Sequence, residues 1–154
     1  MSVRSVWKVL AVALPLAGVL GVAACNGSSP TSPNPRTQVT APSLNVPFST
    51  TDVVVGTGNT ATSGRMVIVS YTGWLYDPSK PDNRGTQFDS SNSFGFVLGI
   101  GNVIAGWEQG IPGMKVGGTR ILVIPPDLAY GQTQNGAIPG NSTLTFQVTL
   151  IAAQ

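Results

Sequence analysis

Between Leu144 and Leu150 the chain alternates apolar and polar residues without a break, with Leu144, Phe146, Val148 and Leu150 set against Thr145, Gln147 and Thr149. Successive side chains of a strand point to opposite faces, so this pattern puts one face in a core and the other toward water. Four further segments carry strand signals. Arg65–Tyr71 alternates, with Val67, Val69 and Tyr71 on one side. Thr119–Ile124 is rich in β-branched residues and stops at Pro125-Pro126, while Asp52–Val55 and Phe94–Leu98 are short apolar runs. One stretch departs from this periodicity. In Gly101–Ile111 the apolar Ile104, Trp107 and Ile111 fall at helical spacing. Asn102 is placed to cap the start of a helix and Gly110 to close it. Gly106 in the middle costs about 1 kcal/mol relative to alanine. The expected class is α+β, an antiparallel sheet with one short helix.

The regular segments occupy only part of the chain. Residues 1–24 read as an export signal: Arg4 and Lys8 give a basic start, and the apolar run Val9–Val22 follows. About 14 helical residues span roughly 21 Å, short of the ~30 Å hydrocarbon core of a bilayer. Small residues, Ala23 and Ala24, then precede Cys25, as at a signal-peptide cleavage site. Residues 25–47 are rich in Ser, Pro, Asn and Thr and poor in large apolar groups. Such a segment cannot bury enough surface to offset its chain entropy, and its prolines make it an extended spacer. Residues 48–154 are long enough for one core.

What the chain lacks limits its chemistry. It has no histidine and one cysteine. Ser-His-Asp and Cys-His catalysis, a disulfide within the chain and a cysteine zinc cluster are therefore excluded. No metal site and no cofactor is expected. With Arg4 and Lys8 removed, six basic residues face six acidic ones. Nucleic acid is not an expected partner, because that needs clustered Lys and Arg. Gly56-Thr-Gly-Asn-Thr-Ala61 fits a dinucleotide-binding pattern, but a β-branched run follows it where that motif needs a helix.

A series of blocks in one collinear order runs through the third segment. They are Val69-Ser-Tyr-Thr-Gly-Trp-Leu75, Phe88-Asp89, Phe94-Gly-Phe-Val-Leu-Gly99, Val103-Ile-Ala-Gly-Trp-Glu-Gln-Gly110, Met114-Lys-Val-Gly-Gly118, Ile124-Pro-Pro-Asp-Leu-Ala-Tyr-Gly131, Ile138-Pro139 and Leu144-Thr-Phe146. Together they resemble the FKBP-type peptidyl-prolyl cis-trans isomerases. The resemblance implies a half-barrel antiparallel sheet wrapped around one short helix, with an apolar cup as active site. It implies catalytic roles for Tyr71, Phe88, Asp89, Ile104, Trp107 and Tyr130. Among these, Trp107 matches the floor under the proline ring, Asp89 an acid beside the peptide, and Tyr130 and the Ile104 N–H donors to substrate carbonyls. It implies substrate contacts from Phe94, Val103, Ile138 and Phe146.

The resemblance also implies partners: proline-containing segments of exported proteins, and possible macrolide inhibitors. Val-Ala-Ala-Cys25 is similar to the lipobox of bacterial lipoproteins, so Cys25 is the expected lipidation site and the membrane a further partner. The expected location is the bacterial cell envelope, at the outer membrane or facing the periplasm. Two departures stand out. Residues 76–87 are longer than the compact family turn and read as a surface loop, and no basic residue lies between Asp89 and Phe94 to pair with the carboxylate. A second reading uses the same scaffold as a peptide-binding chaperone or surface interaction protein with negligible turnover.

Overall fold

The computed structural model describes residues 46–154. The expected signal peptide, Cys25 and all but the last two residues of the expected spacer lie outside these described residues. Five strands form one antiparallel sheet: β1 (Ser49–Val54), β2 (Met66–Tyr76), β3 (Arg84–Val97), β4 (Thr119–Ile124) and β5 (Leu144–Ala153). Their order across the sheet is β1-β4-β5-β2-β3. The alternating C-terminal strand thus lies at the centre, flanked by β4 and β2. Leu144, Phe146, Val148 and Leu150 are all buried, as their period of two requires.

One helix, α1 (Ala105–Gly110), covers the buried face. It lies close on β4 because two of its residues have no side chain. A Cβ on Gly106 would collide with Ile124, and one on Gly110 would come within 2.7 Å of Leu122. Trp107 and Ile111 share the core with Val67, Val69, Leu98, Leu122 and Ile124. The register of β2 shifts at Val69/Tyr71, Gly73/Trp74 and Trp74/Tyr76 against β3. Such irregularities bend a strand and raise its twist, which curves this end of the sheet.

Several boundaries differ from the sequence expectation, and β2 runs five residues past the expected Tyr71, to Tyr76. β1 starts earlier, at Ser49, and every residue in it is exposed, so no apolar alternation marks it. β3 begins at Arg84, ten residues before the expected Phe94, and shortens the expected surface loop. Its first ten residues, Arg84–Ser93, are mostly polar because β3 edges the sheet, and core periodicity cannot reveal them. β5 runs past Leu150 to Ala153. Asn102 does not cap α1: Ile104 takes that position, with no side-chain hydrogen bond. Gly56, in the glycine-rich stretch, packs its bare Cα against the backbone of Lys115 and Val116, which accounts for it structurally.

Candidate active site

The site forms where β2, β3, β5 and α1 meet. α1 presents Trp107, and Gly106 and Gly110 on the same helix let it lie close against Ile124 and Leu122 of β4. The Trp107 ring is only 4% exposed. It meets Tyr71 edge-on at 5.0 Å and 81°, and Phe146 at 5.3 Å and 83°. Phe94 stands 6.2 Å away at 77°. Phe88 crosses Phe146 at 5.5 Å and 87°. These edge-to-face contacts lock the rings against one another, each contributing about 0.5–1.5 kcal/mol beyond its buried area.

The rings meet because of sheet register. Gly73 pairs with Asp89 on one side and Phe146 on the other. A Cβ there would stand 2.7 Å from both Phe146 and Phe88, so the glycine leaves room for the two rings to cross. Tyr71 lies two residues along β2 and opposite Val148. On the far side, the turn Pro126–Leu128 after β4 leads to Tyr130, which is 36% exposed.

A cavity of about 510 Å³ opens between these groups, lined by Tyr71, Phe88, Asp89, Phe94, Asn102, Val103, Ile104, Trp107, Tyr130 and Phe146. Its size suits a small ligand or a few residues of peptide. Nine of the ten sequence-expected residues other than Cys25 line it together. Ile138 does not. It is buried at 6% in the core, where the Asn135–Ile138 bridge of the 132–140 loop turns it inward. Ile138 packs with the core cluster and is absent from the cavity lining. Cys25 lies outside the described residues. Asn102 is the lining residue that sequence reasoning missed. Its place directly before Val103-Ile104 was the available signal, but the capping pattern explained it first.

Asp89 is the only carboxylate in the lining, and no basic residue joins it. The partner that the sequence did not supply is Tyr71, whose hydroxyl donates to Asp89 Oδ2 at 2.6 Å. The Ser90 N–H donates to Oδ1 at 2.8 Å. These two bonds fix the carboxylate at the rim. Burial, and secondly the hydrogen bond to Asp89, push the Tyr71 phenol up to about 12. Burial also raises Tyr130, with the Asp89 charge adding to it. Both phenols therefore stay protonated donors through the neutral range. No backbone carbonyl among the described residues accepts the Ile104 N–H, while the Ile104 carbonyl accepts from Trp107 and Glu108 at 2.9 and 3.2 Å. The geometry thus offers an apolar floor and walls, one fixed negative charge, and donors at opposite edges. Among the described residues no group of three potential ligands is placed to hold a metal ion.

Comparison with known proteins agrees with this arrangement. Residues 58–151 match the family model described as FKBP-type peptidyl-prolyl cis-trans isomerase. An FK506-binding protein 1 of Aspergillus oryzae is 45% identical over 103 residues, covering 62% of this chain and 89% of its own. An FK506-binding protein of Neisseria meningitidis serogroup A is 42% identical over 105 residues, covering 65% and 90%. Among solved structures, AtFKBP13 superposes with a TM-score of 0.60 at 36% identity, over 70% of this chain and 93% of that one. FkpA from Escherichia coli gives a TM-score of 0.60 at 37% identity, over 70% of this chain and 48% of that one. The collinear blocks, the five-stranded antiparallel sheet on one short helix and these matches have one explanation: the chain belongs to the family of FKBP-type peptidyl-prolyl cis-trans isomerases.

Proposed function

We propose that the aromatic cavity is the isomerase centre of this chain, and that it acts on X–Pro bonds of exported proteins from a lipid anchor at Cys25. The observation that carries the reading is the packing of Tyr71, Phe94 and Phe146 edge-on around Trp107 beneath a 510 Å³ opening. An X–Pro bond turns over unaided in tens to hundreds of seconds. Its barrier of ~18–20 kcal/mol comes from amide resonance, which makes the C–N bond partly double. The resonance form is dipolar and favoured by water. As the bond twists, resonance and much of that dipole vanish. A water-poor aromatic cup therefore penalises the planar form more than the twisted one.

Shape and hydrogen bonding supply the rest. The Trp107 indole supports the proline ring, while the Tyr130 hydroxyl and the Ile104 N–H hold the carbonyls on either side. A bond held by its two ends and free at its centre fits the half-turned geometry best, and each ~1.4 kcal/mol of such preference is tenfold in rate. Asp89, steadied by Tyr71, faces the region where carbonyl carbon and nitrogen rehybridise. No nucleophile, proton relay or metal enters the scheme, which suits a chain without histidine. Relatives carry the name FK506-binding protein, and the same cavity is the place where a macrolide would compete with peptide.

Turnover of a short X–Pro peptide by the full chain tests the assignment. Trp107→Leu and Asp89→Ala should each lower kcat/KM at least tenfold; variants as active as the parent would remove the site. Saturable peptide binding without turnover would favour the chaperone reading. The anchor has its own test. Radioactive palmitate should label the parent and not Cys25→Ser, and fractionation should then move the variant from the membrane to the soluble pool of the cell envelope.

A further inference from the structure

The loop between β3 and α1 carries Gly99-Ile100-Gly101, and its geometry is fixed from an unexpected direction. Gly99 and Gly101 both have positive φ, +85° and +79°, a backbone region that side chains avoid. Glu108, one residue after Trp107 on α1, reaches back to both. The Gly99 N–H donates to Oε2 at 2.5 Å and the Gly101 N–H to Oε1 at 2.9 Å. Charge-assisted bonds of this kind are roughly twice as strong as neutral ones. Between the two pinned amides stands Ile100, with 60% of its surface in water.

A single exposed aliphatic residue is ordinary on a protein surface. Ile100 differs in its mount and its place. Both flanking N–H groups are tied to one carboxylate, so the tip is held out and cannot fold its isoleucine inward. It is two residues, or at most ~7 Å of chain, from Asn102 in the cavity lining. Phe94 and Tyr130, also in that lining, are themselves 37% and 36% exposed. A polypeptide seated in the cavity carries its next one or two side chains over a similar distance.

We propose that Ile100 is a specificity-determining contact for an apolar side chain flanking the X–Pro pair, and that Glu108 is the positioning residue that holds it there. The inference rests on the isomerase reading of the cavity and adds the class of sequence it prefers. Three six-residue peptides sharing an Ala-Pro pair test it, followed by exchange NMR with the full chain. One has leucine two residues before proline, one has leucine directly after it, and one has serine at both positions. At least one leucine peptide should exceed the serine peptide about fivefold in kcat/KM, with the gain in KM. Ile100→Ser should bring that ratio to about one. Glu108→Gln offers only one acceptor oxygen for two N–H groups and should reduce the ratio at least twofold, whereas full preference in this variant would overturn the positioning role. Equal rates for the three peptides, or a preference that survives Ile100→Ser, would overturn the Ile100 assignment while leaving the isomerase centre intact. No turnover of any peptide would overturn both.

Discussion

At the scale of single residues, the pairing of Tyr71 with Asp89 decides most about the rim of the site. The family pattern suggested a basic partner for the acid, and a phenol supplies the contact instead. Tyr71→Phe removes that donor and leaves only the Ser90 N–H on the carboxylate. A lost hydrogen bond to a charged group is worth about 1.5–3 kcal/mol. Most of it is recovered from water at this exposed rim, so kcat/KM should fall about three- to tenfold in the peptide assay. The same phenol gives a pH signature. Its proton is held more tightly in the folded state, up to about 12 against an ordinary 10.0. The corresponding stability is fully present below pH 10 and is lost as pH rises from 10 to about 12. Denaturant titrations across that range should show the decline, and Tyr71→Phe should diminish it.

The sequence made the aromatic residues legible because each sits in a dense motif. Whether Ile138 faces the cavity or the core depends on a turn, the Asn135–Ile138 bridge, that no local periodicity encodes. Asn102 was obscured for a related reason. Its side-chain chemistry suits a helix cap, yet the helix begins three residues later.

Among the secondary-structure elements, the contact of α1 with β4 controls where the pocket floor lies. Gly106→Ala tests it with opposing effects. Alanine favours an isolated helix by about 1 kcal/mol. Here its methyl would strike Ile124, which is completely buried and cannot swing away. Overpacking of this kind costs about 1–3 kcal/mol. The net result should be destabilisation, measured as a lower midpoint in urea, together with weaker peptide binding as Trp107 is displaced. Gly73→Ala should act on the other wall, pushing Phe88 and Phe146 apart and reducing kcat/KM more than stability. Strands with one buried face, such as β5, were readable from alternation alone. β1 was legible only as the short apolar run at Asp52–Val55 and Arg84–Ser93 of β3 not at all, because edge strands exposed to water carry no periodic apolar signal.

For the molecule as a whole, β1 is joined to the rest by one ion pair as well as by its ladder to β4. Arg120 contacts Asp52 through Nε at 2.5 Å and Nη2 at 3.0 Å, and its Nη1 donates to the Gly110 carbonyl at 2.7 Å. One guanidinium thus ties the first strand to the end of the helix that bears Trp107. The hydrogen bond from Arg120 holds the Asp52 carboxyl below its ordinary 3.8, against a smaller opposing effect of burial. Its contribution is present above pH 3.8 and is lost as pH falls below that value. Unfolding followed between pH 5 and 2 should therefore show an acid-side loss that Asp52→Asn reduces, by a small amount because the carboxylate is exposed at the surface.

The order of strands has a consequence for how such a chain is made. β5, the last ten regular residues, fills the gap between β4 and β2 and contributes Phe146 to the pocket. A nascent polypeptide emerging from its N-terminus has two separate ribbons, β1 with β4 and β2 with β3, and no strand pairing to join them into one sheet until β5 emerges. Like an arch awaiting its keystone, it has no half-assembled working form, so interruption before residue 144 yields no fraction of the enzyme.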